Sequence, residues 1–279
     1  MALLGSGIQA DPFIIHDWDE LVQAVQTTDS YSELANDIEA PSSAVNLDMS
    51  SMLQLDGKGY SINGLRCTSG NCLIMANTNK VLQNIKFTNI DMDGGDIFLA
   101  TNIGSYHSIE LRNVSFSGMF ESGVLTNDST NEYRHDYTAD GVGINIEVYH
   151  SAFRLMSLMS DRQMHGAFEN VNAVIKYKGC SPSVSLFDES NGRKVLKNST
   201  LGITIPTGGA KLNIGATLNN VCIHGNGSGV IIDSASGVNV VEDTIPPETS
   251  LANVHSLTTA NIKNKVYLRD TIGFPIGVD

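Results

Sequence analysis

Residues 127 to 141, NDSTNEYRHDYTADG, gather the side chains of this sequence best suited to chemistry. Tyr133, Arg134, His135, Asp136, Tyr137 and Asp140 crowd into one short stretch, and Glu147 and His150 follow it. Aromatic faces stack on sugar rings and planar hydrogen-bonding groups hold sugar hydroxyls. A pair of carboxylates at fixed separation is what glycosidic cleavage requires. The segment therefore has two readings. In one it contacts carbohydrate, with Tyr133, Arg134, His135, Asp136, Tyr137 and His150 as the ligand-binding residues and Asp136, Asp140 and Glu147 as the available carboxylates. In the other it is a loop that packs on a neighbouring subunit or stands in solvent. It is polar and too long for a turn, so it is expected to project from the body of the protein.

A second acidic run, Asp91-Met92-Asp93-Gly94-Gly95-Asp96, spaces Asp91, Asp93 and Asp96 as a chain wrapping a calcium ion would. It lacks the distal bidentate Glu of a calcium loop, which makes a solvated turn the competing reading; no metal and no cofactor are expected. His16, His107, His255 and the lone Trp18 read as structural. Cys67, Cys72, Cys180 and Cys222 contain no C-x-x-C pair and no zinc-finger spacing. Buried free thiols are expected, with a Cys67–Cys72 bridge as the alternative.

These groups need elements to position them, and the sequence offers one helix and many strands. In His16 to Val25, Asp17 can cap the N–H of Glu20, Asp19 and Glu20 place negative charge at the positive end of the helix dipole, and Leu21, Val22 and Val25 share a face. A helix of about nine residues is not stable alone, so this one must cover an apolar surface. Downstream, a motif of apolar-x-Asn followed by alternating apolar residues recurs at Asn84, Asn113, Asn145, Asn170, Asn198, Asn220 and Asn253, at intervals of 29, 32, 25, 28, 22 and 33. That wandering period fits a solenoid of stacked β-coils with fixed strands and variable loops. The repeated Asn belongs at a turn where left-handed backbone and bonding to the neighbouring coil are both tolerated. About ten coils at ~4.8 Å would make a rod of about 50 Å.

The division that follows is an N-terminal arm over 1–12, a capping helix and first strand over 13–40, and a strand solenoid over 41–245. Insertions are expected at 127–141 and 180–194, and a terminal coil with an arm over 246–279 after Pro246-Pro247. Composition agrees: 41% of residues are apolar, 17% are charged, and 26 Gly stand against 7 Pro, a mix suited to short strands and tight turns. A net charge of −13, from 30 acidic and 17 basic residues, repels a phosphate backbone and excludes nucleic acid as a partner. No apolar run is long enough for a membrane span, and MALLGSGIQADPF has no basic residue before its apolar ones, so no Sec leader is expected if Met1 is the start.

Trp18-Asp19-Glu20-Leu21, then Tyr31 to Ile38 (YSELANDI), then Leu55 to Leu65 (LDGKGYSINGL), occur in the order used at the opening of right-handed parallel β-helix proteins of the pectate-lyase-like superfamily. The sequence resembles in particular those of bacteriophage appendages and bacterial surface adhesins. The resemblance covers residues 13 to 120 and continues through the loose repeat. It implies an all-β, right-handed parallel β-helix with a short N-terminal capping α-helix. Of the motifs carried by polygalacturonase-type members, Asp-Asp, Gly-His-Gly and Arg-Ile-Lys, none occurs; Met164-His165-Gly166 and Ile223-His224-Gly225 are the nearest.

The resemblance, taken with the absent leader, implies a non-enzymatic bacteriophage virion protein, assembled in the host cytoplasm and released by lysis. It would be a subunit of a tail, spike or head appendage that attaches to the host surface or anchors a fibre. Expected partners are other virion proteins, further copies in a homotrimer and a host cell-surface glycan. A tailspike-like polysaccharide depolymerase and a bacterial surface adhesin are the alternatives.

Overall fold

The computed structural model describes residues 3–45, 47–67, 71–74, 80–92, 96–99, 107–120, 123–127, 135–149, 154–158, 164–183, 185–187, 194–206, 210–226, 229–242, 251–264, 267–272 and 274. The expected helix forms as α1, Trp18–Val25. Asp17 stands before it in extended backbone and its carboxylate accepts the Glu20 N–H at 2.9 Å. Glu20 reaches back in turn, accepting the His16 N–H at 2.7 Å and meeting His16 Nδ1 at 3.0 Å, so two free donors at the helix start are satisfied reciprocally. Leu21, Ala24 and Val25 are buried against the core and Trp18 and Val22 pack at its margin. At about 1.5–3 kcal/mol for each large aliphatic side chain taken from water, this burial holds a helix too short to persist alone.

The remainder of the described residues is predominantly β-strand, and the pairings between these strands are parallel, the isolated bridges Leu4–Ile14 and Ile8–Asp11 in the N-terminal arm being antiparallel. One series runs from Phe13–Ile15 to Tyr31–Leu34, Gln54–Asp56 and Lys80–Met92, then to His107–Phe120. That strand is followed by the pair His135–Asp140 and Gly143–Val148, and these by Met164–Glu169 and Asn172–Tyr177. Lys194–Thr204, Thr217–Asn226, Asn239–Glu242 and Val254–Leu257 complete it. A second parallel sheet orders Leu47–Asp48, Asn71–Ile74, Asp96–Leu99, Gly123–Asn127 and Arg154–Leu158. A third pairs Leu212–Asn213 with Val230–Ile231.

Register aligns like residues in columns. Leu55, Leu82, Leu111, Ala139, Phe168, Leu196 and Leu218 stand beside one another on successive strands. So do Ile62, Phe87, Phe116, Ile144, Ala173, Leu201, Ile223 and Val241. Wherever their side chains are described these residues are buried, and together they make one continuous core.

Between the two columns the chain turns a corner, and the recurring Asn explains how. Asn84, Asn170, Asn198 and Asn220 have φ of 51, 54, 49 and 57°, the left-handed region that Asn tolerates better than other side chains. Each amide also bonds to the preceding strand: Asn84 Nδ2 to Asp56 Oδ1 at 3.1 Å, Asn170 Nδ2 to Asp140 Oδ1 at 2.8 Å, Asn198 Nδ2 to Glu169 Oε1 at 2.9 Å, and Asn220 Nδ2 to Asn198 Oδ1 at 3.2 Å. Asn145 does not share this role; it is exposed within strand Gly143–Val148. The corner residue there is Gly141, with φ 67°, because glycine meets the same backbone demand with no side chain. Replacing Asn198 with Ala is expected to lower stability by about 1–2 kcal/mol through left-handed strain and a lost hydrogen bond, and Asn198→Gly by less, as read by urea denaturation.

Part of each expected excursion is tied into the body of the protein: one contains a strand, the other two core residues bonded to a neighbouring segment. Asn127 ends strand Gly123–Asn127 and His135–Asp140 is a strand paired on both sides; residues 128–134 lie outside the described residues. Polar composition suggested a loop, but an interior parallel strand requires only its backbone bonds and apolar residues at alternate register positions, which Ala139 helps supply. In 180–194, Leu186 and Phe187 are buried, and their N–H groups donate to Asn213 O and Ile214 O at 2.8 and 2.9 Å. Pro246 and Pro247 lie outside the described residues.

At the N-terminal end residues 3–11 lie along the first strand, Ile14 N–H donating to Leu4 O and Tyr31 N–H to Gly7 O, both at 2.9 Å. At the other end, Leu257, Leu268, Ile262, Tyr267 and Phe274 pack over Cys222 and Val240 in a small second core. Glu242 ties it down, accepting Gly225 N–H at 2.6 Å and the Thr259 hydroxyl at 2.5 Å.

Candidate functional site

The strand His135–Asp140 carries four of the residues singled out in the sequence. By register His135 lies between His107 and Met164, Asp136 between Ser108 and His165, and Tyr137 between Ile109 and Gly166. Tyr133, Arg134 and His150 lie outside the described residues, as does Asp93. Asp96 opens strand Asp96–Leu99 and Asp91 stands near the end of Lys80–Met92.

Asp140 and Glu147 are separated by the corner at Gly141, and each carboxylate already has a task. Asp140 Oδ1 accepts from Asn170 at the corner that follows the next strand. Glu147 is paired with Lys178 Nζ at 3.1 Å and accepts the Tyr149 hydroxyl at 3.0 Å. Lys178 first, then Tyr149, hold the Glu147 carboxyl below its ordinary range. A general acid for glycoside cleavage needs the opposite shift. Asp91 Oδ2 lies 3.5 Å from Arg66 Nε, and among the described residues no group of three or more His, Cys, Asp or Glu could hold a metal ion.

The depression of Glu147 gives a signed expectation. A carboxyl with a lower folded than unfolded pKa favours the folded state above its unfolded value, and that contribution disappears as pH falls through the folded value. Side-chain carboxyl NMR should place the Glu147 midpoint below that of an exposed Glu, and Lys178→Met should move it upward. A midpoint unchanged by Lys178→Met would remove the ion pair as its cause.

The arrangement repeats along the outer surface. Lys58 Nζ meets Glu33 Oε1 at 3.1 Å and Lys197 Nζ meets Glu169 Oε1 at 2.9 Å. Gln83 Nε2 donates to Asp56 Oδ2 at 2.9 Å, and Thr88 Oγ1 and Asn89 Nδ2 both donate to Asn63 Oδ1, at 2.9 and 2.7 Å. By register Glu33, Asp56, Gln83, Arg112, Asp140, Glu169, Lys197 and Asn219 form a single polar column beside the corner. Read linearly, the chain hides the partners Lys178 and Gln83, and the signal that finds them is the repeat interval itself, which sets a residue beside those about 28 positions away; Tyr149 lies only two residues from Glu147.

Cys180 and Cys222 are free thiols, and burial first, with Glu242 adding to it, pushes Cys222 up to about 11. Only the backbone of Cys67 and Cys72 is described. Among the described residues no helix is long and apolar enough to cross a membrane. Comparison with protein-family models, with curated proteins and with solved structures gives no match.

Proposed function

We propose that the chain is a right-handed parallel β-helix serving as a structural and attachment subunit of a bacteriophage tail, spike or head appendage. Support for the coiled path comes from strand order: the segments of the second and third sheets, with Leu186-Phe187, fall in sequence between successive strands of the first series. A chain that repeatedly leaves one sheet, visits another and returns one position further along is a coil.

The observation that carries the functional reading is the use made of the outer carboxylates. Asp56, Asp140, Glu147 and Glu169 bond to amides or ammonium groups on neighbouring strands or turns, which stiffens a rod and leaves them committed. The resemblance of residues 13 to 120 to appendage proteins points the same way. On this reading the partners are other virion proteins, further copies in a homotrimer and a host surface glycan, and the chain's place is the virion.

Incubation of the purified protein with capsular polysaccharide and teichoic acid tests it. Retention of glycan on the protein with no rise in reducing ends is the expected result. Cleavage that is lost in Asp136→Asn or Glu147→Gln would establish a depolymerase instead. Antibody labelling in negative-stain images should fall on virion appendages; labelling of bacterial cell surfaces would make the chain an adhesin.

A further inference from the structure

We propose that the N-terminal end of the strand series, with Leu4 and Ile8 at its tip, is a docking surface for a protein partner whose matching patch is apolar at its centre and rimmed by Lys and Arg. The acidic charge of the sequence is concentrated in the segment that builds this end, where Lys58 pairs with Glu33 and Asp56 but not with the other acids. Residues 1–57 hold ten Asp and Glu and no Lys or Arg, whereas residues 58–279 hold twenty acids and seventeen bases, so −10 of the net −13 lies in the first fifth of the sequence. Asp11, Asp17, Asp19, Asp29, Asp37, Glu39 and Asp48 are exposed. They belong to the arm, α1 and the first few strands, and three of those strands, Phe13–Ile15, Tyr31–Leu34 and Gln54–Asp56, are successive neighbours spanning about 10 Å. That is close to one Debye length at physiological salt, so these charges act together on an approaching surface.

The apolar part of the patch is rigid. Leu4 and Ile8 are 60% and 58% exposed, and they are the exposed aliphatic side chains among the described large hydrophobics, the others being Tyr60 and Tyr149. Their backbone is fixed on both sides: besides the bonds to Ile14 and Tyr31, Ser6 N–H donates to Asp11 O and Asp11 N–H to Ile8 O, at 3.1 and 3.0 Å. Gly5, at φ 90°, lies so close to the first strand that an added Cβ would stand 2.0 Å from Pro12 O, and one on Gly7 would stand 2.5 Å from the Phe13 ring. Leu3 and Phe13 pack inward, so the arm has an apolar anchor of its own and holds Leu4 and Ile8 out in water. Lone exposed aliphatics are ordinary; a pair four residues apart on a preordered arm lowers the ordering cost of binding. The acid around it selects the partner. A second copy docking through the same face would set these seven exposed acids against seven more, and side-by-side copies would only increase the demand for positive charge on whatever covers the end.

The test uses the full chain and three peptide probes by calorimetry: an amphipathic Lys/Leu helix, its Glu/Leu counterpart and decalysine. The Lys/Leu peptide is expected to bind, with hydrogen-exchange protection confined to residues 3–40. Its affinity should fall about tenfold in Leu4→Ser/Ile8→Ser and about tenfold more between low and ~0.3 M salt. The double variant should keep the thermal midpoint of the parent because both side chains are exposed. Equal binding of the Glu/Leu peptide, equal binding of decalysine with no effect of the double variant, protection elsewhere on the chain, or no binding at all would each overturn the proposal. So would self-association in sedimentation velocity that the double variant abolishes.

Discussion

Gly225→Ala is expected to be among the most damaging single substitutions in this chain, lowering stability by about 3–5 kcal/mol. Gly225 has φ 145°, outside the range of L side chains, and an added Cβ would lie 1.7 Å from Ile203 O and 2.7 Å from Ile203 C on the neighbouring strand. Backbone cannot yield there without breaking the parallel ladder between Lys194–Thr204 and Thr217–Asn226. The same shift would move the Gly225 N–H away from Glu242 and loosen the C-terminal segment that Glu242 holds through Thr259. Gly64→Ala is the control. Its φ is also positive, 76°, but nothing lies within 4 Å of the added Cβ, so only the left-handed penalty of about 1–2 kcal/mol remains. Urea midpoints of the two variants should differ several-fold in their shift; equal shifts would show that the close approach to Ile203 is not the cause.

Phe187→Ala should cost a similar amount, about 3–5 kcal/mol. Phe187 is fully buried, packs edge-on against Phe168 at 5.4 Å between ring centres, and anchors a stretch otherwise rich in polar residues. Truncation leaves a cavity and removes an aromatic pair worth about 0.5–1.5 kcal/mol beyond its area. Phe187→Leu should recover most of the loss in thermal unfolding. An Ala variant with an unchanged midpoint would mean that 180–194 is the excursion its composition suggests.

That contrast shows what the sequence made legible. Asp17 and Glu20 announced α1 because capping is a local geometry confined to a few consecutive residues, and the Asn repeat announced a corner because few residues accept positive φ. Asn145 falls outside this pattern for the same reason: Gly141 meets the demand equally well and carries no side chain to mark the corner. Strand His135–Asp140 was hidden because an interior parallel strand is specified by its neighbours' backbone. His-Asp-Tyr-Thr-Ala-Asp carries its alternation in only Tyr137 and Ala139. Leu186 and Phe187 were hidden similarly, two core residues inside a polar run. For the candidate site, the carboxylates Asp140 and Glu147 could be named but their engagement could not, since Asn170 and Lys178 lie about 30 residues downstream and become neighbours only through register.

The proposed coil would set successive strands of each column one beside the next along an axis, and electron-spin distances test this most directly. Labels on Glu33, Asp140 and Ser236, the last on strand Ser234–Ser236 beside Asn219, in a background with the four cysteines replaced by Ala, occupy one polar column, in which Asp140 is four strands and Ser236 eight strands beyond Glu33. At ~4.8 Å per strand the account predicts about 19 Å between Glu33 and Asp140 and about 38 Å between Glu33 and Ser236. A Glu33 to Ser236 distance no longer than the Glu33 to Asp140 distance would contradict it.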